Sequence, residues 1–390
     1  MIIAMFDNIC YRGHTMAPIK TCVLGVGLAG LTFHAPFILA LPELFTLVAI
    51  LERNPHSEGG KLHERFGVTV KIHNTIEQVL QDSDIELVIV GTPNSTHYSY
   101  AKAALEAGKH VLVDKPIAPT ATEARELDVL AKSKGLVLYP FHNRRHDSDF
   151  LAVKKLLTLP PSSPQHIGEV VEFETHFDRF RRGINNSWKA EPAPGIGHTY
   201  DLGTHLIDQC LDLFGRPQKL TAFIANSRGV GHPDVDDSFT ILLHYAAGGR
   251  LTRPVTAIAR AHFLSVRSPQ PRYYIMGTKG SYIKYGVDVQ EDQLKAISSP
   301  KAIHTDDFGV EPENLWGTLE CLEADDVTMN KSLWPSEKGS YVNLFKNLAS
   351  AIRDGAELEI KWEEAATVME LIELAYRSAK EGKTVLVPAV

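Results

Sequence analysis

Between Ile19 and Phe141 short apolar, β-branched runs alternate with longer amphipathic stretches, and this recurrence constrains the fold more than any other feature of the chain. The runs Lys20–Leu24, Leu47–Leu51, Val68–Ile72, Leu87–Val90, His110–Val113 and Leu136–Tyr139 lack the polar alternation of a half-solvated strand. Both faces of such strands must be covered, and a parallel sheet between layers of helix covers them. Helices are predicted at Leu31–Ala40, at Ala101–Ala107 before Gly108, and at Thr122–Lys132 before Gly135, the last two closed by a glycine stop. The pattern predicts a doubly wound α/β domain over residues 16–142. Residues 1–15 are expected to be a disordered extension or a mis-assigned start, because Met16 opens a cleaner beginning.

After about Arg145 the texture changes. Val170–Phe177, Leu220–Ala225, Phe239–Tyr245, Leu251–Ala259, Tyr273–Met276 and Ser281–Tyr285 read as strands joined by turns, which predicts an α+β domain over residues 143–390 with an open, mostly antiparallel sheet. Residues 287–336, rich in Pro, Gly and Asp, read as a long irregular excursion, and two amphipathic helices, Tyr341–Arg353 and Glu363–Lys380, close the chain. A net charge of −7 with scattered basic residues gives no footprint for nucleic acid or an acidic membrane, and no apolar stretch approaches a membrane span. Four cysteines with no C-x-x-C pair point to neither a disulfide framework nor a thiolate metal site. A cytoplasmic protein with a small-molecule partner is expected.

The turn after the first strand is Gly25-Val26-Gly27-Leu28-Ala29-Gly30. In G-x-G-x-x-G the first glycine makes the tight turn, the second admits a pyrophosphate, and the third lets helix meet strand. The motif recurs by chance, so its context decides: strand before, helix after, and an acid, Glu52, closing the second strand about twenty residues on. A dinucleotide site is predicted. Glu52 would accept hydrogen bonds from an adenosine ribose diol and favours NAD, whereas the adjacent Arg53 could pair with a 2′-phosphate and favours NADP.

Three further segments fall at carboxyl ends of predicted strands, where open α/β sheets place their ligands. Thr92-Pro93-Asn94-Ser95-Thr96-His97 would meet the nicotinamide half of a dinucleotide. Asp114-Lys115-Pro116 puts an ammonium where it could hold charge on a substrate oxygen. Asn143 and Arg144, in His142-Asn143-Arg144-Arg145-His146, begin the second domain and could line the cleft between domains. In the second domain Asp201 and His205 are four apart and would share one helical face, so that the imidazole takes a proton while the carboxylate steadies it. A metal reading of this pair lacks a third ligand at a recognisable spacing, and none is expected.

Taken in order, GVGLAG, TPNSTH, DKP and the GxGxxxDxGxHxxD segment beginning at Gly195 resemble the glucose–fructose oxidoreductase, inositol dehydrogenase and rhizopine-catabolism superfamily over Ile19 to Val387. FDRFR, GTKGSYIKYG and QEDQL look like its branch of NADP-dependent scyllo-inositol dehydrogenases. The resemblance implies a Rossmann domain, a second domain whose sheet makes homodimer or homotetramer contacts, and a slight lean to NADP. It further implies catalytic roles for Lys115, Asp201 and His205, and substrate contacts from Asn143, Arg144 and, more loosely, Trp188. Hydride transfer to or from a cyclitol, sugar or related alcohol is the expected activity. The alternatives are a non-catalytic dinucleotide-binding regulator and a reductase of specialised metabolism acting on a non-sugar substrate. In this sequence Asp114 stands for the usual Glu, Glu52 for a small residue, His146 for Trp, and His198-Thr199 for an apolar pair.

Overall fold

Six apolar runs pair as a single parallel sheet, β1 (Ile19–Leu24), β2 (Phe45–Leu51), β3 (Lys71–His73), β4 (Leu87–Val90), β5 (His110–Val113) and β6 (Leu138–Pro140), in the order β3-β2-β1-β4-β5-β6. The order reverses between β1 and β4, which opens a crevice at their carboxyl ends. The computed structural model describes residues 17–184 and 188–389, so the extension expected at 1–15 lies outside the described residues. Helices α1 (Ala35–Ala40), α2 (Gly60–Phe66), α3 (Ile76–Gln81), α4 (His97–Glu106) and α5 (Ala121–Lys134) connect the strands. Local chemistry sets their ends. The Thr120 hydroxyl accepts the Glu123 amide at the start of α5, and Gly135 ends it with φ of 64°.

A mixed sheet of nine strands forms the second layer. After α6 (Ser148–Leu157) come β7 (Val170–His176), α7 (Thr204–Phe214), β8 (Lys219–Ala225), β9 (Ser238–Tyr245), β10 (Val255–His262), β11 (Pro271–Gly277) and β12 (Gly280–Tyr285). They are followed by α8 (Gln290–Ala296), β13 (Gly317–Leu322), β14 (Met329–Trp334), α9 (Val342–Asp354), α10 (Trp362–Glu381) and β15 (Val385–Leu386). The sheet order is β14-β13-β12-β11-β7-β10-β9-β8-β15, antiparallel throughout except where β7 meets β10.

Four expectations from sequence need correction. The stretch 287–336 is not irregular: it supplies α8 and the β13–β14 hairpin, which the Pro, Gly and Asp residues of its turns obscured. The third strand runs Lys71–His73 rather than Val68–Ile72, its register fixed by pairing with Ala49–Leu51. The strand predicted from Leu251 begins at Val255, after Pro254, whose missing N–H cannot join a ladder. The helix expected at Leu31–Ala40 is α1 preceded by a wide π-type turn over Gly30–His34.

The last two long helices tie the layers together. On α9, Phe345 stacks on Phe37 at 4.8 Å and meets Phe45 and Phe141 edge-on or tilted at 6.4 and 6.0 Å, closing one face of the parallel sheet. On α10, Trp362 donates to the Ala124 carbonyl of α5 at 2.7 Å, while Glu373 accepts the Ala121 amide at 2.8 Å. Removing the fully buried Phe345 ring leaves a cavity among three aromatic partners. Phe345→Ala should therefore lose roughly 3 to 5 kcal/mol of stability in urea titrations; a loss below about 1 kcal/mol, the size of an ordinary surface change, would show that α9 is not essential to this face.

Candidate active site

The crevice at the switch point continues into a cavity of about 630 Å³ walled by both layers. On the sheet side its wall is made by the segments after β1 (Gly25, Gly27, Leu28, Ala29), β4 (Thr92, Pro93, Asn94, His97), β5 (Asp114, Lys115) and β6 (Asn143, Arg144). Trp188, Asp201 and His205 face them from the second layer. Of the residues singled out from sequence, Gly30, Glu52 and Arg53 stand outside this lining.

The glycine loop fits a dinucleotide. Gly25 has φ of 87°, and a Cβ at Gly30 would lie 1.9 Å from the Gly25 carbonyl oxygen, so both positions bring helix and strand together. At Gly27 a Cβ would meet nothing within 4 Å, so this backbone is bare toward the cavity, as close approach of a phosphate requires. Glu52 is buried at the end of β2. One carboxylate oxygen accepts the Lys61 amide at 3.1 Å at the start of α2, and the other is buried without a partner among the described residues. Arg53 beside it is exposed and makes no ion pair among the described residues.

Lys115 reaches across from β5 to the second layer. Its Nζ donates to the Asp201 carboxylate at 2.7 Å and to the Asp201 carbonyl at 2.9 Å, leaving one N–H for another acceptor. Lys189 approaches the same carboxylate oxygen at 3.1 Å. Burial would raise the Asp201 carboxyl, but the two ammonium groups outweigh it and hold the group well below the usual carboxylate range. Asp201 lies in a π-type turn over Thr199–Gly203 ahead of α7, and its partners are lysines, not His205. The direct acid–imidazole pairing expected from the four-residue spacing is therefore corrected. Burial, then Lys115, Arg144 and His142, push His205 well below its ordinary pKa, with Asp201 opposing them. The imidazole is neutral at neutral pH, and its Nδ1 is buried without a partner among the described residues.

The remaining residues hold the walls in place. Asp114 accepts the Lys115 amide at 2.7 Å. The ring nitrogens of His97 lie 2.7 Å from the Pro116 carbonyl and 2.8 Å from that of Thr92, clamping the loops after β4 and β5 to each other. The Asn94 amide donates to the Gly195 carbonyl at 2.7 Å, a bridge between layers. Arg144 is buried and paired with Asp147 at 3.2 Å and Glu291 at 2.5 Å, while Asn143 lines the cavity with no side-chain partner among the described residues. Trp188 is 42% exposed at the cavity edge.

Sequence reasoning gave no site role to Arg179, Arg181, Lys189, His198, Asp236 and Glu291, which also line the cavity. The FDRFR and QEDQL segments and the His198-Thr199 departure touched four of them without assigning a role. Glu291 comes from the segment read as irregular, and His198 packs at 4.1 Å against Phe263, a contact no spacing reveals.

A Rossmann sheet with a bare glycine loop, facing a lysine, an aspartate and a neutral histidine across one cavity, invites comparison with known oxidoreductases. Residues 19–142 match the NAD-binding Rossmann fold of an oxidoreductase family, and residues 164–387 match that family's C-terminal alpha/beta domain. The chain belongs to the Gfo/Idh/MocA oxidoreductase family. It is an oxidoreductase with an NAD(P)-binding domain, as the family resemblance implied. An uncharacterized oxidoreductase of Schizosaccharomyces pombe is 40% identical over 377 residues, which are 95% of this chain and 99% of that one. The scyllo-inositol 2-dehydrogenase (NADP(+)) IolW of Bacillus subtilis is 35% identical over 368 residues, 94% of this chain and 96% of its own. The structure of the oxidoreductase yvaA from Bacillus subtilis superposes with a TM-score of 0.85 at 33% identity, covering 97% of this chain and all of that one. Among the described residues no helix is long and apolar enough to cross a membrane, and no three or more His, Cys, Asp or Glu residues are grouped to hold a metal ion.

Burial also lowers the pKa of His142, and that of His198 to about 4. In the unfolded chain each histidine takes a proton near pH 6.5, roughly its free value, and in the fold it resists one. The stability these groups contribute is complete above the unfolded pKa and is lost as pH falls below it, for His198 down to about pH 4. His198→Phe should flatten the dependence of unfolding free energy on pH across this window by about one proton's slope. Urea titrations at several pH values would reject this reading if both proteins gave the same slope.

Proposed function

We propose that this oxidoreductase moves a hydride between a nicotinamide dinucleotide and a carbinol or carbonyl carbon of a cyclitol, sugar or related small molecule. The observation that carries the reading is the convergence of Lys115, Asp201 and His205 on one cavity beside the bare backbone of Gly27. When bound, the nicotinamide supplies the carbon that accepts or releases hydride. Gly25, Gly27, Leu28 and Ala29 would hold the pyrophosphate, and Thr92, Pro93 and His97 would border the nicotinamide half. The free N–H of Lys115 donates to the reacting substrate oxygen and stabilises negative charge on it, with Asp201 fixing the ammonium in place. His205, neutral and buried, accepts the hydroxyl proton in oxidation, and Asn143 and Arg144 orient the remaining hydroxyls. Retention of this proton-handling set favours an enzyme over a dinucleotide-binding regulator.

The same reading extends to the choice of dinucleotide. Glu52 is turned inward to the start of α2 while Arg53 faces solvent, an arrangement that supports NADP, with Arg53 on the 2′-phosphate. Fluorescence titration should then give tighter binding of NADPH than of NADH, and Arg53→Ala should weaken NADPH by about tenfold, one charge-assisted contact, with little change for NADH. Equal affinities in the native protein would overturn the NADP assignment. For the proton step, His205→Ala should lower turnover of a reactive polyol by roughly 10² to 10⁴ with dinucleotide affinity retained; undiminished turnover would remove His205 from the mechanism.

A further inference from the structure

Beyond β7 the backbone continues in an extended run along the segment after β10. The Arg179 amide donates to the His262 carbonyl and the Arg181 amide to that of Phe263, both at 2.8 Å, and Phe180 bridges to Leu264 between them. Alternation along this run sends Arg179 and Arg181 to the cavity, while Phe180 stays outside its lining. Each guanidinium lies over an aromatic ring: Arg179 is 4.7 Å from the centre of Phe177, and Arg181 is 5.5 Å from that of Phe263. Seated over a ring, a guanidinium still has its N–H groups to offer an acceptor.

Neither arginine has a side-chain hydrogen bond or an ion pair among the described residues, although the cavity contains carboxylates. Those are already engaged. Asp201 is shared by Lys115 and Lys189, and Glu291 is held by Arg144 at 2.5 Å and Lys295 at 2.7 Å. Asp236 accepts from Thr199 and from Tyr376, and Asp114 from the Lys115 amide. Arg179 is partly withdrawn from water; burial, with Arg144 and Arg181 nearby, lowers its pKa, while Glu291 and Asp201 act in the opposite sense from beyond bonding distance. An unpaired cation so placed is costly unless a ligand answers it. The whole chain carries −7, so this concentration of positive charge is local to the cavity and does not reflect composition.

We propose that the substrate is an anion: a polyol or sugar derivative bearing a carboxylate or phosphate, gripped by the stacked forks of Arg179 and Arg181 while its carbinol carbon lies toward Lys115 and His205. The proposal rests on the oxidoreductase reading above and narrows its substrate class. A planar fork pairs with either oxyanion through two parallel hydrogen bonds, so the two sources share one recognition chemistry.

The test is calorimetric titration of the full chain saturated with NADP⁺, using gluconate, glucitol 6-phosphate and neutral glucitol as probes. At least one anion should bind tenfold or more tightly than glucitol, and the stronger of the two identifies the charged group. The double variant Arg179→Gln/Arg181→Gln should lose that preference while retaining native affinity for the dinucleotide, and the variant Arg179→Lys/Arg181→Gln should recover part of it. The inference is overturned if neither anion outcompetes glucitol, or if the preference survives in the double variant. Failure of the native chain to bind either NADP⁺ or NAD⁺ would instead bring down the oxidoreductase reading, and the substrate inference with it.

Discussion

The contact between Lys115 and Asp201 joins two halves of the chain that are 86 positions apart. A lysine at the end of a buried parallel strand needs an acceptor, and a partly covered carboxylate of the second layer needs a cation; each answers the other across the crevice. The cavity walls are arranged around that pair. Lys189 can approach because Asp201 is there to receive it, and His205 stays neutral because it is buried, with Lys115 and Arg144 nearby adding to the effect and Asp201, committed to lysines, opposing it.

Similar pairing governs the region where one layer passes into the other. Arg145, directly after the cavity-lining Arg144, is gripped by both oxygens of Asp208 at 2.7 and 3.0 Å and by Glu364 of α10 at 2.8 Å. Arg272 is wholly buried and bonded to Asp149 at 2.8 Å, and Lys284 meets Glu311 at 3.0 Å in the same interior. Networks of this kind add little net stability over apolar packing but penalise any register in which one partner is missing. Here they fix how the first turn after β6 sits against α7 and α10, and therefore where Asn143 and Arg144 enter the cavity.

Much of this was legible in the sequence because it depends on local pattern. The buried strands announced themselves by apolar runs, the glycine loop by spacing and context, and the polar segments after β4, β5 and β6 by their position at strand ends. What stayed hidden depends on who meets whom in space. The four-residue spacing of Asp201 and His205 was compatible with mutual contact, but a π-type turn and an incoming lysine redirected the carboxylate. Glu52 and Arg53 gave opposed signals as neighbours in sequence, and only the fold shows one turned inward and the other outward. Arg179 and Arg181 stood in the FDRFR segment without a role, and only the fold shows that the carboxylates of the cavity are committed to other partners. The hairpin of β13 and β14 was missed because its short strands are mostly polar on the exposed side and its turns dominate the composition.

The aromatic seat of Phe345 has a bearing on how the molecule is made. Tyr139 at the end of the parallel sheet bonds Asn347 of α9, a residue 208 positions later, and Phe37, Phe45 and Phe141 wait for the same helix. As the chain emerges from the ribosome the dinucleotide domain is therefore synthesised with one oily flank uncovered, and it stays so until nearly the entire second layer has followed. That interval is a window in which chaperones, or other unfinished chains, compete for a surface the completed protein never shows.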